Sequence, residues 1–325
     1  MEKVMYNVEE VGKMIEAGKK LLVAGDENLL KQLPNGNWIG GTTPYFMSDK
    51  GGIISKEQIY VTELPQYIDN IKIQTYDIVS IKNVYKDCYE NGFSVIIIPA
   101  FSDLHLSFAI NAPDYKDFAV HPLIGWISGY LLSDAGACAK TYSGLANTES
   151  CKDAVVMHIE IPKSKYADID IINLFEQGAG DEIEFLESGF NAKEVLINGK
   201  KQIFADYLKD NKIDTRLPLV ADYNSVMINI SVQEIKGDNV VFYAPVFKGV
   251  KYKFASSLND YISDFGKAIA NKNEQPTFSC NCILNFKYSE LEGKSTGNIT
   301  GPITFGEIAY QLLNQTLVTV DVLDL

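Results

Sequence analysis

Cys280-Asn281-Cys282 is the feature with the most obvious chemical potential. Residues two apart on a strand share a face. Phe278, Cys280, Cys282, Leu284 and Phe286 then form one apolar stripe over a predicted strand 278–286, which leaves both thiols as small buried side chains. A metal site needs a second ligand pair at comparable spacing, and none is visible. A reactive thiolate needs a cation or histidine beside it. His105, His121 and His158 are far apart, and none stands in H-E-x-x-H. His158 alternates within an apolar run, as a structural histidine would. Gly125-Trp126-Ile127-Ser128-Gly129 misses the G-x-S-x-G elbow by one position, and neither a Walker loop nor G-x-G-x-x-G occurs.

Two glycine-rich segments have the composition of a pocket for a small polar ligand. One is Gly40-Gly41-Thr42-Thr43-Pro44-Tyr45. The other is Gly125-Trp126-Ile127-Ser128-Gly129-Tyr130. Glycines let a backbone approach a ligand closely, hydroxyls orient it and an aromatic ring forms a wall. A bulge or tight strand packing would use the same glycines. The shared composition predicts that the two segments meet in space and line one cavity. Glu307 and Asn314 are further candidates. Ile308, Leu312 and Leu313 suggest a helix over 305–314, with Glu307 in its first turn and Asn314 beyond its last. There Glu307 would either support the helix dipole or bind a ligand's amine or hydroxyl.

The elements that must position these residues follow from the pattern. Asn7 and Glu10 form a capping box before an amphipathic helix ended by Gly18. Leu21–Ala24 and Ser94–Ala100 are continuous apolar runs, suited to buried strands. Residues 59–64 and 71–79 alternate as antiparallel strands do, Ser80 caps a predicted helix carrying Val84 and Tyr85, and 154–161 is a further strand. Residues 103–119 read as irregular. The acidic stretch 168–187 reads as a solvated connection between two lobes, 1–187 and 188–325. In the second lobe a hairpin turns at Asn198-Gly199, a helix follows near 205–210, and strands cover 226–234 and 239–246. Ser256 or Ser257 then caps a helix carrying Leu258, Tyr261 and Phe265. The expected fold class is mixed α/β (α+β), with mostly antiparallel or mixed sheets covered by helices.

Composition excludes several functions. The chain has 325 residues and a net charge of −13. Among its 29 basic residues only Arg216 is an arginine. This is the opposite of a nucleic-acid footprint and a poor match for anionic membranes. No apolar run reaches the ~18 residues of a membrane span. The N-terminus lacks the apolar core of a signal peptide, and five sparse cysteines fit reduced thiols in a cytoplasm.

Taken in order, these segments resemble the FIST sensory domain family, with its N- and C-terminal modules in tandem. Leu33–Thr43 resembles the family's proline, strand and small-residue segment, and Val120–Gly129 its Pro-hydrophobic-Gly-Gly segment. Val195–Tyr207 is similar to the opening hairpin and helix of the C-terminal module. Pro302–Thr316 (PITFGEIAYQLLNQT) is similar to its Gly-Glu-Ile and Asn-Gln-Thr ending. The arginine that usually follows the module's cysteine is replaced here by Asn281, and the usual Gly-Phe before Gly306 by Thr304-Phe305. The resemblance implies a non-catalytic, cytoplasmic sensor of a small polar ligand of amino-acid type. It also implies an output in trans through a separate signalling protein. Its site would use Gly40, Gly41, Thr42, Thr43, Tyr45, Gly125, Trp126, Ser128, Gly129, Glu307 and Asn314, with no cofactor. Some family members bind haem. Here the histidines lie in irregular segments or a packed strand, so colourless protein is expected. An enzyme with Cys280 as nucleophile or Glu307 as acid/base is the alternative, and a pure interaction scaffold a third.

Overall fold

The computed structural model describes residues 3–68, 70–134, 136–223, 226–258, 260–269 and 275–325. Strand outweighs helix, 43% against 16% of residues, so the mixed α/β fold is mostly sheet rather than sheet covered by helices.

The layers that carry the candidate residues grow from the apolar runs. Gly92–Pro99 is buried along its whole length, with Leu123–Ser128 parallel to it on one side and Ala154–Glu160 antiparallel on the other. The sheet continues through Ile71–Tyr76 at one edge and through Glu307–Ala309 and Gln311–Leu313 at the other. A second layer orders Lys165–Ile172, Leu317–Asp324, Phe278–Cys282, Gly301–Thr304, Tyr45–Ser48 and Gly51–Ile54. A third contains Leu21–Gly25 and Trp38–Thr42 in parallel, flanked by antiparallel strands. The amphipathic helix Val8–Glu16 starts in the capping box: Asn7 accepts from the Glu10 amide and Glu10 from the Asn7 amide. Residues 183–254 build two further sheets, in which Glu194–Ile197 and Lys200–Ile203 turn at Asn198 and Gly199 with positive φ of 48° and 77°.

Long-range strand pairings cross residue 187. Glu307 pairs opposite Trp126, Gly301 opposite Met47, and Lys165–Ile172 lies along Leu317–Asp324 throughout. One hydrophobic cluster runs from Met5 to Val320. The acidic 168–187 stretch is therefore not purely a solvated connection, since it supplies strand residues through Ile172 and again at Ile183–Phe185.

Five local expectations are corrected. The 305–314 segment is a β-hairpin and not a helix. Ile308 and Leu312 face each other across it, and Tyr310 turns it with φ of 62°, a left-handed conformation that no right-handed helix contains. The i, i+4 spacing of Ile308 and Leu312 fits a helix and a tight hairpin equally, and the open edge of the 123–128 strand decides between them. After Ser80 there is only a short 3₁₀ turn, Ile81–Asn83. Residues Asp103–Asn111, expected to be irregular, form a helix capped by Ser102. The strand expected over 278–286 stops at Cys282, and Ile283–Tyr288 is a helix. The cap of the following amphipathic segment also moves, from Ser256 or Ser257 to Asp260, with the helix covering Tyr261–Ala268.

Glycine matters most where a neighbouring strand or ring leaves no room for a side chain. A Cβ on Gly125 would lie 1.8 Å from the Ile96 carbonyl oxygen, and one on Gly129 2.3 Å from the Phe305 ring. Gly180 has open space around it. Gly125→Ala should destabilise the protein by about 3 kcal/mol or more, because backbone must move to admit a methyl, whereas Gly180→Ala should stay within about 0.5 kcal/mol. Urea unfolding of the two variants checks this.

Candidate functional site

The two glycine-rich segments do meet. The Gly129 amide donates to the Thr42 carbonyl at 2.6 Å, and a Cβ on Gly41 would sit 2.9 Å from Trp126 Nε1 and 3.2 Å from Ser128 Cβ. Most of their hydroxyls are already engaged inside the protein, whereas the Trp126 indole N–H is buried without a hydrogen-bond partner. Thr42 Oγ1 accepts from the Lys140 amide at 2.9 Å, Thr43 Oγ1 donates to the Ile303 carbonyl at 2.7 Å, and the Tyr45 hydroxyl accepts from the Leu132 amide at 3.0 Å. Trp126 stacks on Phe278 with ring centres 5.3 Å apart. Gly40 and Gly125 let paired strands lie close, Gly41 lets its sheet approach the Trp126 and Ser128 side chains of the next, and this region is packed interior.

The unsaturated polar chemistry lies one layer away, around Glu307. The 307–309 strand brings its carboxyl between Trp126 of the paired strand and the ends of Phe278–Cys282 and Gly301–Thr304. Glu307 is fully buried. Thr316 donates to Oε2 through its amide at 3.2 Å and its hydroxyl at 2.9 Å, and Thr304 Oγ1 donates to Oε1 at 3.3 Å. Burial outweighs these donors and pushes the carboxyl up to about 8, so at neutral pH it holds its proton. Cys280 and Cys282 are also buried, and burial followed by the Glu307 charge raises both thiols well above their ordinary range. Cys280 donates to the Gly125 carbonyl at 3.3 Å.

Three asparagines complete the cluster. Asn285 Nδ2 donates to Asn281 Oδ1 at 2.9 Å, and Asn314 Nδ2 lies 3.8 Å from Cys282 Sγ. The amide oxygens of Asn285 and Asn314 are buried without any hydrogen-bond partner. An unpaired buried acceptor costs roughly 1–3 kcal/mol, so two in one connected polar cluster make a region short of donors. Asn281 Nδ2 reaches the Tyr261 hydroxyl at 3.4 Å, and Tyr261 belongs to the wall of a cavity of about 550 Å³ shared with Tyr288, Gln315, Asp214 and Arg216. Arg216 grips Asp214 through Nε at 2.9 Å and Nη2 at 2.7 Å. Tyr261 thus stands between an open cavity and a closed, acceptor-rich interior.

The histidines lie outside this cluster. His158 Nε2 meets the Tyr76 hydroxyl at 2.9 Å, and Tyr76 donates on to Asp87 at 3.0 Å, which leaves Nδ1 to accept from Ser94 at 2.7 Å. His105 Nδ1 accepts from the Phe101 amide at 3.2 Å, and its Nε2 has no partner. Burial pushes both imidazoles down to about 4. Among the described residues no group of three or more His, Cys, Asp or Glu could hold a metal ion. No described helix is long and apolar enough to cross a membrane.

Of the candidates named from the sequence, Glu307, Asn314 and the Cys280–Cys282 pair converge. Asn285, Thr316 and Tyr261 were not singled out, because their roles arise from contacts between distant segments. Arg216 carried a signal as the chain's single arginine.

Over residues 6–323 the chain matches one family across nearly its whole length. It belongs to DUF6976, a family of unknown function. No curated protein matches it.

Two outcomes follow. A carboxyl raised from its ordinary value to about 8 binds a proton in the folded state that the unfolded state has lost. Its contribution therefore makes stability fall with rising pH, by up to about 1.4 kcal/mol per unit between roughly pH 5 and 8. The lowered histidines act oppositely and at lower pH, between about 4 and 6.5. Subtracting the pH profile of Glu307→Gln from that of the parent, in urea melts, should isolate the Glu307 slope. Separately, native titration with a thiol reagent should label exposed Cys138 and Cys151 quickly and leave Cys280 and Cys282 unlabelled.

Proposed function

We propose that the protein is a non-catalytic, cytoplasmic binder of a small amine-bearing molecule of amino-acid type. In this reading it works as a sensory component and passes its signal to a separate protein. The observation that carries it is the pair of partnerless amide oxygens on Asn285 and Asn314, residues tied to the buried, protonated Glu307 through Thr316 and Cys282. A primary ammonium is the complement of that set, since it has three donors and no acceptor. Tyr261 is the gate. When its ring swings from Asn281, an ammonium entering from the cavity reaches the acceptors, while the ligand's carboxylate stays at the rim near Arg216.

The chemistry of entry is a proton exchange. The incoming cation favours the charged form of Glu307, which releases its proton to solvent, and the ion pair then stands in a site stripped of water. Binding is reported outward through the 307–313 hairpin and the helix Ile283–Tyr288, the elements on which the acceptors sit. The resemblance to sensory modules supports this reading, as does the state of the thiols. A nucleophilic cysteine needs a group that stabilises its thiolate, whereas burial opposes ionisation of both Cys280 and Cys282, and the Glu307 charge adds to it once that carboxyl ionises.

Thermal-shift measurements against the twenty standard amino acids and simple primary amines test the proposal. At least one should raise the melting temperature. Its apparent affinity should strengthen about tenfold per pH unit up to about pH 8, because binding expels a proton. Glu307→Gln should remain folded and lose the shift, and Asn314→Ala should weaken it. A full ligand shift in Glu307→Gln, or no shift from any of these compounds, would sink the reading.

A further inference from the structure

Gln315 is buried between Asn314 and Thr316, and its side chain leaves the cluster that both of them serve. Its φ of 51° is left-handed, a conformation that a residue with a side chain keeps only where its surroundings hold it. The holding contacts come from a different part of the molecule. Ser231 Oγ donates to Gln315 Oε1 at 2.6 Å, and Asn229 Nδ2 donates to the Gln315 carbonyl at 3.4 Å. Asn229 is fixed in turn by Asn173, each side-chain amide donating to the other, at 2.9 Å and 3.0 Å.

Ser231 and Asn229 are themselves buried. Ser231 links the strands Val226–Ile230 and Val232–Lys236, which lie in different sheets. A polar clamp closed to water and satisfied on both sides fixes geometry. One residue on, the Thr316 amide and hydroxyl both donate to Glu307 Oε2, and the Thr316 carbonyl accepts from the Cys282 amide at 3.2 Å. The Gln315 backbone therefore sets where the Thr316 donors point. Once its side chain is released, the residue relaxes toward negative φ and the Thr316 amide turns with it.

We infer that Gln315 is a positioning residue: clamped by Ser231, it aims Asn314 and Thr316 into the Glu307 cluster and places that cluster under the control of the 183–254 sheets. Whatever shifts Ser231 changes the donors available to Glu307. By reciprocity, whatever binds or ionises at Glu307 changes how firmly residues 226–232 are held. The inference rests on the proposed function only for the meaning of the cluster as a ligand site.

Infrared titration of Glu307, with each variant measured against the same variant carrying Glu307→Gln, tests this without any ligand. Ser231→Ala and Gln315→Ala should each raise the carboxyl midpoint above the parent's by about one unit, tenfold in proton affinity, because the ionised form loses its Thr316 donors. The double variant should move it no further than one of them alone. Cys280, Cys282 and Tyr261, the titratable groups beside Glu307, are held un-ionised by burial, and the strands Leu123–Ser128 and Gly301–Thr304 present none, so the midpoint belongs to Glu307. Val240→Ala truncates a buried side chain of the same sheets away from the clamp; it should melt earlier and keep the parent's midpoint. The parent's midpoint in both clamp variants, or an equal rise in Val240→Ala, would overturn the inference. A rise confined to the clamp variants, in a protein that no amine stabilises, would remove the ligand reading and leave the clamp standing.

Discussion

Burying one carboxyl group sets the terms for much of this molecule. Glu307 lies on the inner strand of the hairpin that closes a sheet containing residues 92–99 and 123–128, and its carboxyl accepts from Thr304 and Thr316 of the neighbouring layer. Water cannot reach it, so it must be neutral, paired with a cation, or supported by donors. Two threonines supply some of those donors, and among the described residues no cation is paired with it. The proton on Glu307, the un-ionised thiols beside it and the two idle amide oxygens are consequences of that single constraint.

The architecture explains how such a group can be held at all. Strands after residue 300 return to pair with strands before residue 172, so the candidate site is enclosed by segments from both ends of the chain. Breaking the site open would cost the interlayer packing of Trp126 on Phe278 and the glycine contacts that admit it. The rigid side faces the 92–128 strands. The side that can yield faces the cavity, where a single aromatic ring, Tyr261, separates Asn281 from open space.

The sequence carried the local part of this design. Continuous apolar runs marked Leu21–Gly25 and Gly92–Pro99, the Asn-Gly pair marked its hairpin, and Asn7 with Glu10 marked the first helix. Each of these signals is complete within a few residues. The 305–314 segment was misread because Ile308 and Leu312 satisfy helix and hairpin periodicities alike, and only the distant Leu123–Ser128 edge selects the hairpin. Glu307 and Asn314 were visible as candidates, although for a helix that does not form. Asn285 was hidden by the expectation that the Phe278–Cys282 strand continues, which places it on a polar strand face and not in the core. The glycine-rich segments show the converse. Their glycines lie where paired strands and a neighbouring sheet come close, and their hydroxyls bond within the protein.

The most direct test of the account is the protonation state of Glu307 itself. Infrared difference spectroscopy of the ligand-free protein against Glu307→Gln isolates the carbonyl stretch of a protonated carboxyl. The account predicts that this band is present at neutral pH and disappears with a midpoint near 8. A spectrum in which Glu307 is already a carboxylate at pH 6 would contradict it, and the ammonium-for-proton exchange would fall with it.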